Sequence, residues 1–273
     1  MSHIAVPPRL VRIGAASIAA FLAALLAAAG VAPARAETLE AAAERYRPYM
    51  IENVDRSLAG ARKLSDRIAA ADVAGAKKAW IDARIGWERA EVFTSAFVPD
   101  LDREIDAWPN ALMGFHAIEA RLFGANATDV RDQTDALIFH LEDLSIKVHL
   151  IALLPQRLLN GTARLAYEVG ESKADGGESR FSGTSLDDMR NNVEGIDRAF
   201  AIIFAPTLLE RDAPLAALVQ AKIDRLKALV EVPDLTRLEP DKLRAASEEL
   251  VLALQTAAPA LGLRSPTLEE IVE

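Results

Sequence analysis

An imidazole and a carboxylate stand three residues apart in the run Gly114-Phe115-His116-Ala117-Ile118-Glu119. In a helix, positions i and i+3 share a face, so His116 and Glu119 can reach one point in space. Mixed nitrogen and oxygen donors of this kind form half of a metal site. Taken alone, the pair reads more readily as an ordinary helical contact between a surface histidine and an acid. Phe115, Ile118 and Leu122 form an apolar stripe beside the pair, which predicts partial burial for both side chains. Gly114 costs about 1 kcal/mol against Ala inside a helix, so its presence points to a close neighbour: a second helix or a ligand.

Three further groups offer candidate partners. Trp80, Arg84, Trp87, Glu88 and Glu91 fall at i, i+4, i+7, i+8 and i+11, one helical stripe with two carboxylates. Buried carboxylates need a counter-ion, a hydrogen bond or a metal, and Arg84 is one turn from Glu88. Asp102 and Asp106 lie between Pro99 and Pro109, a stretch expected to be irregular; there they serve as loop ligands or as helix caps. Glu168, Glu171 and Glu178 flank or occupy a Gly-rich stretch, from which Glu178 could close over a site from the opposite side. The alternative for these three is a solvated loop. His140 and His149 are nine residues apart, face different ways on a helix, and are expected to be core or surface residues.

This donor set restricts the chemistry. One imidazole with several carboxylates suits iron, and also zinc, manganese or copper. The chain has no cysteine and four methionines, which argues against a soft copper(I) site. A zinc peptidase of the His-Glu-x-x-His type needs a second histidine on the same helix, and none follows Glu119. A binding protein is expected, not an enzyme.

Helices must position these groups. The chain is rich in Ala, Leu, Glu, Arg and Asp and shows no hairpin signal, which predicts an all-α fold. Helices are expected at 37–70 (eased at Gly60), at 73–93, and in a short piece capped by Asn110 and ending before Gly124. A long one follows at 128–159, kinked or ended at Pro155, then a turn or two at 163–169. Gly170 to Ser185, with Gly176, Gly177 and Gly183, reads as a linker. Further helices are expected at 186–204, 215–230 and 238–257, and the tail from Pro259 as loosely held. Seven or eight helices exceed one four-helix bundle, so up-down helices in two packed four-helix-type bundles with a cleft are expected.

Residues 1–36 read as a signal peptide. Arg9 and Arg12 precede an apolar run to Ala32, and Ala34-Arg35-Ala36 supplies a cleavage site. Cleavage there removes three arginines and no acid, leaving 28 basic and 40 acidic side chains, a formal −12. Such a surface repels nucleic acid and anionic polymers and favours cations.

Taken in order, Trp87-Glu88-x-x-Glu91, Leu101-Asp102-x-x-Ile105-Asp106 and Gly114-Phe115-His116-x-Ile118-Glu119 resemble an imelysin-like domain, more narrowly the EfeO/EfeM-type periplasmic iron-uptake proteins. Tyr167-Glu168-Val169, Phe181-Ser182-Gly183-Thr184-Ser185-Leu186 and Asn192-Val193-Glu194-Gly195 extend the resemblance over most of residues 40–205. It resembles the short form, without a cupredoxin domain, with 37–273 as the domain. The resemblance implies His116 and Glu119 as metal ligands, with Glu88, Glu91 and one of Asp102 or Asp106 completing or neighbouring the site, and Glu178 as a weaker addition. It also implies a periplasmic iron-uptake role, an inner-membrane iron permease and a haem peroxidase as partners, and acidic polysaccharide such as alginate as an alternative ligand, for which Trp80, Trp87 and Trp108 offer rings. It carries an older association with metallopeptidases.

Overall fold

A computed structural model describes residues 37–106 and 112–272. The signal-peptide reading, Trp108, Pro109 and the expected Asn110 cap lie outside the described residues. Every element among the described residues is helical. Helices α1 (Leu39–Ala69), α2 (Val73–Phe97) and α5 (Arg131–Leu150) pack together, with the short α3 (Pro99–Asp106) and α4 (Gly114–Glu119) closing one end against α5. Helices α6 (Pro155–Glu171), α7 (Ser185–Ala199), α9 (Ala213–Val230) and α10 (Pro240–Leu261) form the second group. Between α7 and α9 the chain passes through a π turn (Phe200–Phe204) and α8 (Ala205–Arg211). Helix α2 belongs to the first group and also packs on α6 and α7 of the second. The two expected bundles therefore share one continuous core, with α2 at their junction.

Helix α1 starts where Thr38 caps it, its Oγ1 accepting from Ala41 N at 3.2 Å. It runs unbroken through Gly60, where a Cβ would sit 2.7 Å from Ala83 Cα. Gly60 lets α2 approach α1 at backbone distance, and Gly86 of α2 does the same, a Cβ there lying 2.4 Å from Asn53 O and 2.7 Å from Ser57 N.

Several expected breaks are helix starts. Pro99 opens α3, so the stretch carrying Asp102 and Asp106 is helical, not irregular. The helix expected at 128–159 ends at Leu150, and Pro155 opens α6. Pro206 sits in the first turn of α8, so the helix expected to end at 204 continues to Arg211. Proline lacks an N–H and fixes φ near −65°, so the first turn of a helix accommodates it. The tail is also held: α10 continues to Leu261, Gly262 caps it at φ +76°, and α11 (Leu268–Val272) buries Ile271 against α6.

Candidate metal centre

Five pieces of chain meet where α2 adjoins α6 and α7. Helix α2 turns Arg84, Glu88 and Glu91 toward the second bundle, while its tryptophans fill the core on either side. The last residue of α3 supplies Asp106. The first turn of α4 supplies His116, fixed by two local features. Trp80 Nε1 donates to Phe115 O at 3.0 Å. Gly114 adopts φ +73°, and a Cβ there would lie 2.4 Å from Ile105 O. The close neighbour expected at Gly114 is thus the backbone end of α3, which brings Asp106 beside His116.

The Gly-rich stretch is not a loose linker. It folds as consecutive turns that bury Lys173, Glu178 and Ser179. Gly176 and Gly183 take left-handed backbone at two of these turns. Helix α7 adds Asp188 and Asn192 from the far wall.

His116 is the hinge of the geometry. Its Nδ1 lies 3.1 Å from Glu119 Oε2. Its Nε2 lies 3.3 Å from Asp106 Oδ1 and 4.0 Å from Glu178 Oε1. Glu119 is fixed in turn, its Oε1 accepting from Phe181 N at 3.0 Å, Ser182 N at 2.8 Å and Ser182 Oγ at 2.8 Å. A carboxylate on one ring nitrogen and ligand-type oxygens facing the other is the usual arrangement around a metal-bound histidine. The ligand atoms of Asp106, His116 and Glu178 lie within 4.8 Å of one another, as do those of Glu88, Glu91 and Asp106. Asp106 belongs to both groups.

Two buried cations occupy the carboxylate cluster. Arg84, 1% exposed, pairs with Glu88 and Asp106 and lies 3.4 Å from Asp188 Oδ2 and 3.6 Å from Glu178 Oε1. Lys173 Nζ sits 3.0 Å from Glu88 Oε2, 3.2 Å from Glu91 Oε2 and 3.2 Å from Glu178 Oε1. Asn192 Nδ2 donates to Glu88 Oε2 at 2.8 Å and also reaches Glu91. Trp87 Nε1 donates to Asp106 Oδ2 at 2.8 Å, and Ser179 Oγ to Asp188.

Protonation follows from this crowding. Burial pulls the His116 imidazole down, but Asp106 and Glu119 outweigh it and lift it to about 9. Burial raises Asp106, yet Arg84 and His116 hold it below the usual carboxylate range. Glu88 likewise ends low, under Arg84 and Lys173, and Glu119 ends low through its bonds to His116 and Ser182. Burial together with Glu88 pushes Glu91 well up. Burial lifts Glu178 in spite of Lys173, and Asp188 to about 7 in spite of Arg84. Six carboxylates thus face Arg84, Lys173 and the imidazolium, and protons on the raised acids make up the balance. An incoming metal cation would exchange against those protons.

The cluster opens through a pocket of about 290 Å³ walled by Glu91, Asp102, Asp106, Glu168, Lys173 and Glu178. Asp102 is half-buried on this wall, one turn back from Asp106, and burial lifts it to about 7. Glu168 pairs with Arg164 and Glu171 with Arg244. His140 lies 3.9 Å from Glu104 and His149 is exposed, so neither enters the site. Trp80 and Trp87 are fully buried and offer no ring to a sugar.

Comparison with known proteins matches the family model Imelysin over residues 42–111 and 109–261. The chain belongs to the imelysin family. An EfeM/EfeO family lipoprotein of Staphylococcus haemolyticus is 31% identical over 205 residues, 71% of each chain. The iron uptake system component EfeM of Pseudomonas syringae is 29% identical over 69% of this chain and 70% of its own. The iron uptake system component EfeO of Escherichia coli O157:H7 is 31% identical over 72% of this chain, a match spanning 56% of the longer protein. A crystal structure from Parabacteroides distasonis, described as an iron-regulated protein A precursor, superimposes with a TM-score of 0.64 at 17% identity. It covers 85% of this chain and 97% of that one, so the helical fold is shared.

Within this imelysin-family chain, residue reasoning passed over Lys173, Ser179 and Asp188. Lys173 stands among glycines and acids that read as solvated linker. Ser182 and Asn192 did lie in motifs carrying the family resemblance, but no spacing tied them to Glu119 or Glu88.

Proposed function

We propose that the chain is an exported, non-catalytic metal-binding protein of an iron-uptake system. It captures a metal ion at Asp106, His116 and Glu178 and yields it to a membrane permease. The observation that carries this reading is the orientation of His116. With Nδ1 engaged by Glu119, Nε2 is directed at two carboxylates supplied by different parts of the fold. In this reading Glu119 fixes the imidazole, and Glu88 and Glu91 form the adjoining acidic wall. The oxygen-rich set suits iron, with zinc, manganese and copper as competitors. The names of the EfeM and EfeO relatives support the iron-uptake role, and the signal-peptide pattern read in residues 1–36 supports the periplasm. Among the described residues no helix is long and apolar enough to cross a membrane.

The test is calorimetric titration of the purified protein with Mn²⁺, Fe²⁺ kept anaerobic, Zn²⁺ and Cu²⁺. One metal per chain is expected, and His116→Ala together with Asp106→Asn should abolish it. Unchanged affinity in that double variant sinks the site. Chelator-sensitive hydrolysis of a peptide library would instead revive a peptidase reading.

A further inference from the structure

A second, larger groove of about 680 Å³ adjoins the metal pocket, within the size range of small-molecule sites. Its charged lining is Arg103, Arg157, Arg164 and Arg264 against Glu269 and Glu270. Arg103 and Arg164 also line the metal pocket, so the two cavities share a wall. The groove lining thus carries four arginines against two acids, in a chain of formal charge −9 and beside a carboxylate cluster, while Asp100 and Glu168 next to it balance two of the four.

Three of these arginines have acidic partners: Arg103 with Asp100, Arg164 with Glu168 and Arg264 with Glu270. Arg157 has none among the described residues. Its guanidinium lies over the Phe97 ring, 5.6 Å from the centroid, which orients the plane and leaves its N–H groups available. A planar fork held this way suits a carboxylate, which accepts two parallel hydrogen bonds.

We propose that the groove receives an oligocarboxylate chelator, so that the metal arrives as an anionic complex and not as a bare ion. This rests on the metal-capture reading above. A hard, highly charged cation in neutral water is held in solution by oxygen-rich chelators that leave the complex negatively charged. The carboxylates of the pocket repel such a complex. Arg157, with Arg103 and Arg164 on the shared wall, attracts the chelator's free carboxylates while its metal faces Asp106 and Glu178.

Equilibrium binding at low ionic strength tests this, with ferric citrate, citrate alone, an oligouronate and Mn²⁺ as separate probes. Ferric citrate is expected to bind more tightly than citrate or the oligouronate. Arg157→Glu should weaken ferric citrate by about tenfold or more, and leave Mn²⁺ within about twofold, since the side chain is exposed and outside the metal pocket. Arg157→Lys should lose less, because charge remains while the fork is gone. If the wild type binds neither Mn²⁺ nor anaerobic Fe²⁺, Zn²⁺ or Cu²⁺, the metal reading falls and the proposal with it. If Mn²⁺ binds but ferric citrate is indifferent to Arg157→Glu, the groove alone is overturned. Tighter binding of the oligouronate than of ferric citrate also overturns it, in favour of a polysaccharide site.

Discussion

The two faces of α2 differ in what they enclose. Toward α1, Ala83 meets Gly60 and Gly86 meets the backbone of Asn53 and Ser57, and the helices touch at backbone distance. Toward α6 and α7, Gly161 and Gly195 also bring backbone against Val92 and Arg89, but beside those contacts Arg84, Glu88 and Glu91 meet Asp188 and Asn192 of α7 and Lys173 of the turns after α6. The first face is fixed by shape and has no exchangeable part. The second holds cations and protons that another cation can replace. On the metal-binding function proposed above, such a seam, held at its glycine contacts and charged between them, would take up and release the ion without unpacking the core.

The largest effect should come from removing the central cation. Arg84→Met leaves Glu88, Asp106 and Asp188 short of their counter-charge in a dry environment, a loss of about 3–5 kcal/mol. Thermal unfolding of the metal-free protein should drop by roughly 10 °C or more. Saturating Mn²⁺ should recover part of that loss, because a bound cation supplies the missing charge. An unfolding midpoint within about 2 °C of wild type would show that the ionic seam does not hold the bundles together.

The shape-built seam should respond differently. Gly60→Ala pushes a Cβ against the Ala83 backbone and should cost about 1–3 kcal/mol by overpacking. Metal affinity per folded molecule should not change. A variant that loses affinity along with stability would mean that the two faces of α2 are coupled.

The sequence reveals part of this contrast. The α1–α2 seam is not legible in it: Gly60 reads as an easing of the first helix, whereas it is the point where α2 comes to backbone distance. His116, Glu119, Glu88 and Glu91 stand out by helical spacing from another polar or aromatic residue, and Asp106 as an acid in a stretch expected to be irregular. The ionic seam draws its other half from far along the chain. Lys173 lies 85 residues from Glu88 and Asn192 104 residues from it, and no periodicity spans such gaps. Their local context misleads too: Gly176 and Gly183 imply flexibility, yet they form the turns that seat Glu178. Proline misled in the same sense at Pro99, Pro155 and Pro206, where a helix-breaking residue occupies a first turn.

Glu119 sharpens the comparison at smaller scale. If it orients His116, Glu119→Gln keeps shape and a weaker hydrogen bond while losing charge. Metal affinity should fall about 10–100-fold, the usual cost of disturbing the residue behind a ligand histidine. Near-complete loss of binding in Glu119→Gln would make Glu119 a direct ligand instead. The imidazole signals in a proton NMR spectrum distinguish a displaced ring from a missing donor.

The smallest effect, per unit of pH, is set by the proton on His116. Its imidazolium persists to about pH 9 in the metal-free protein, so below that a metal must displace one proton to reach Nε2. Affinity should therefore weaken as pH falls, by about tenfold per unit, or about 1.4 kcal/mol. Protons on Glu91, Glu178 and Asp188 steepen the slope if the metal expels them too. Stability of the metal-free protein runs the other way. A histidine whose folded pKa is raised stabilises most below its unfolded value of about 6.5, and that contribution is lost as pH rises toward 9. Mn²⁺ titrations between about pH 6 and 8.5, with urea unfolding of the metal-free protein over the same range, should give opposite trends. An affinity flat across that window would mean that the metal does not take His116 Nε2. The ionic seam would then hold its cation through carboxylates alone.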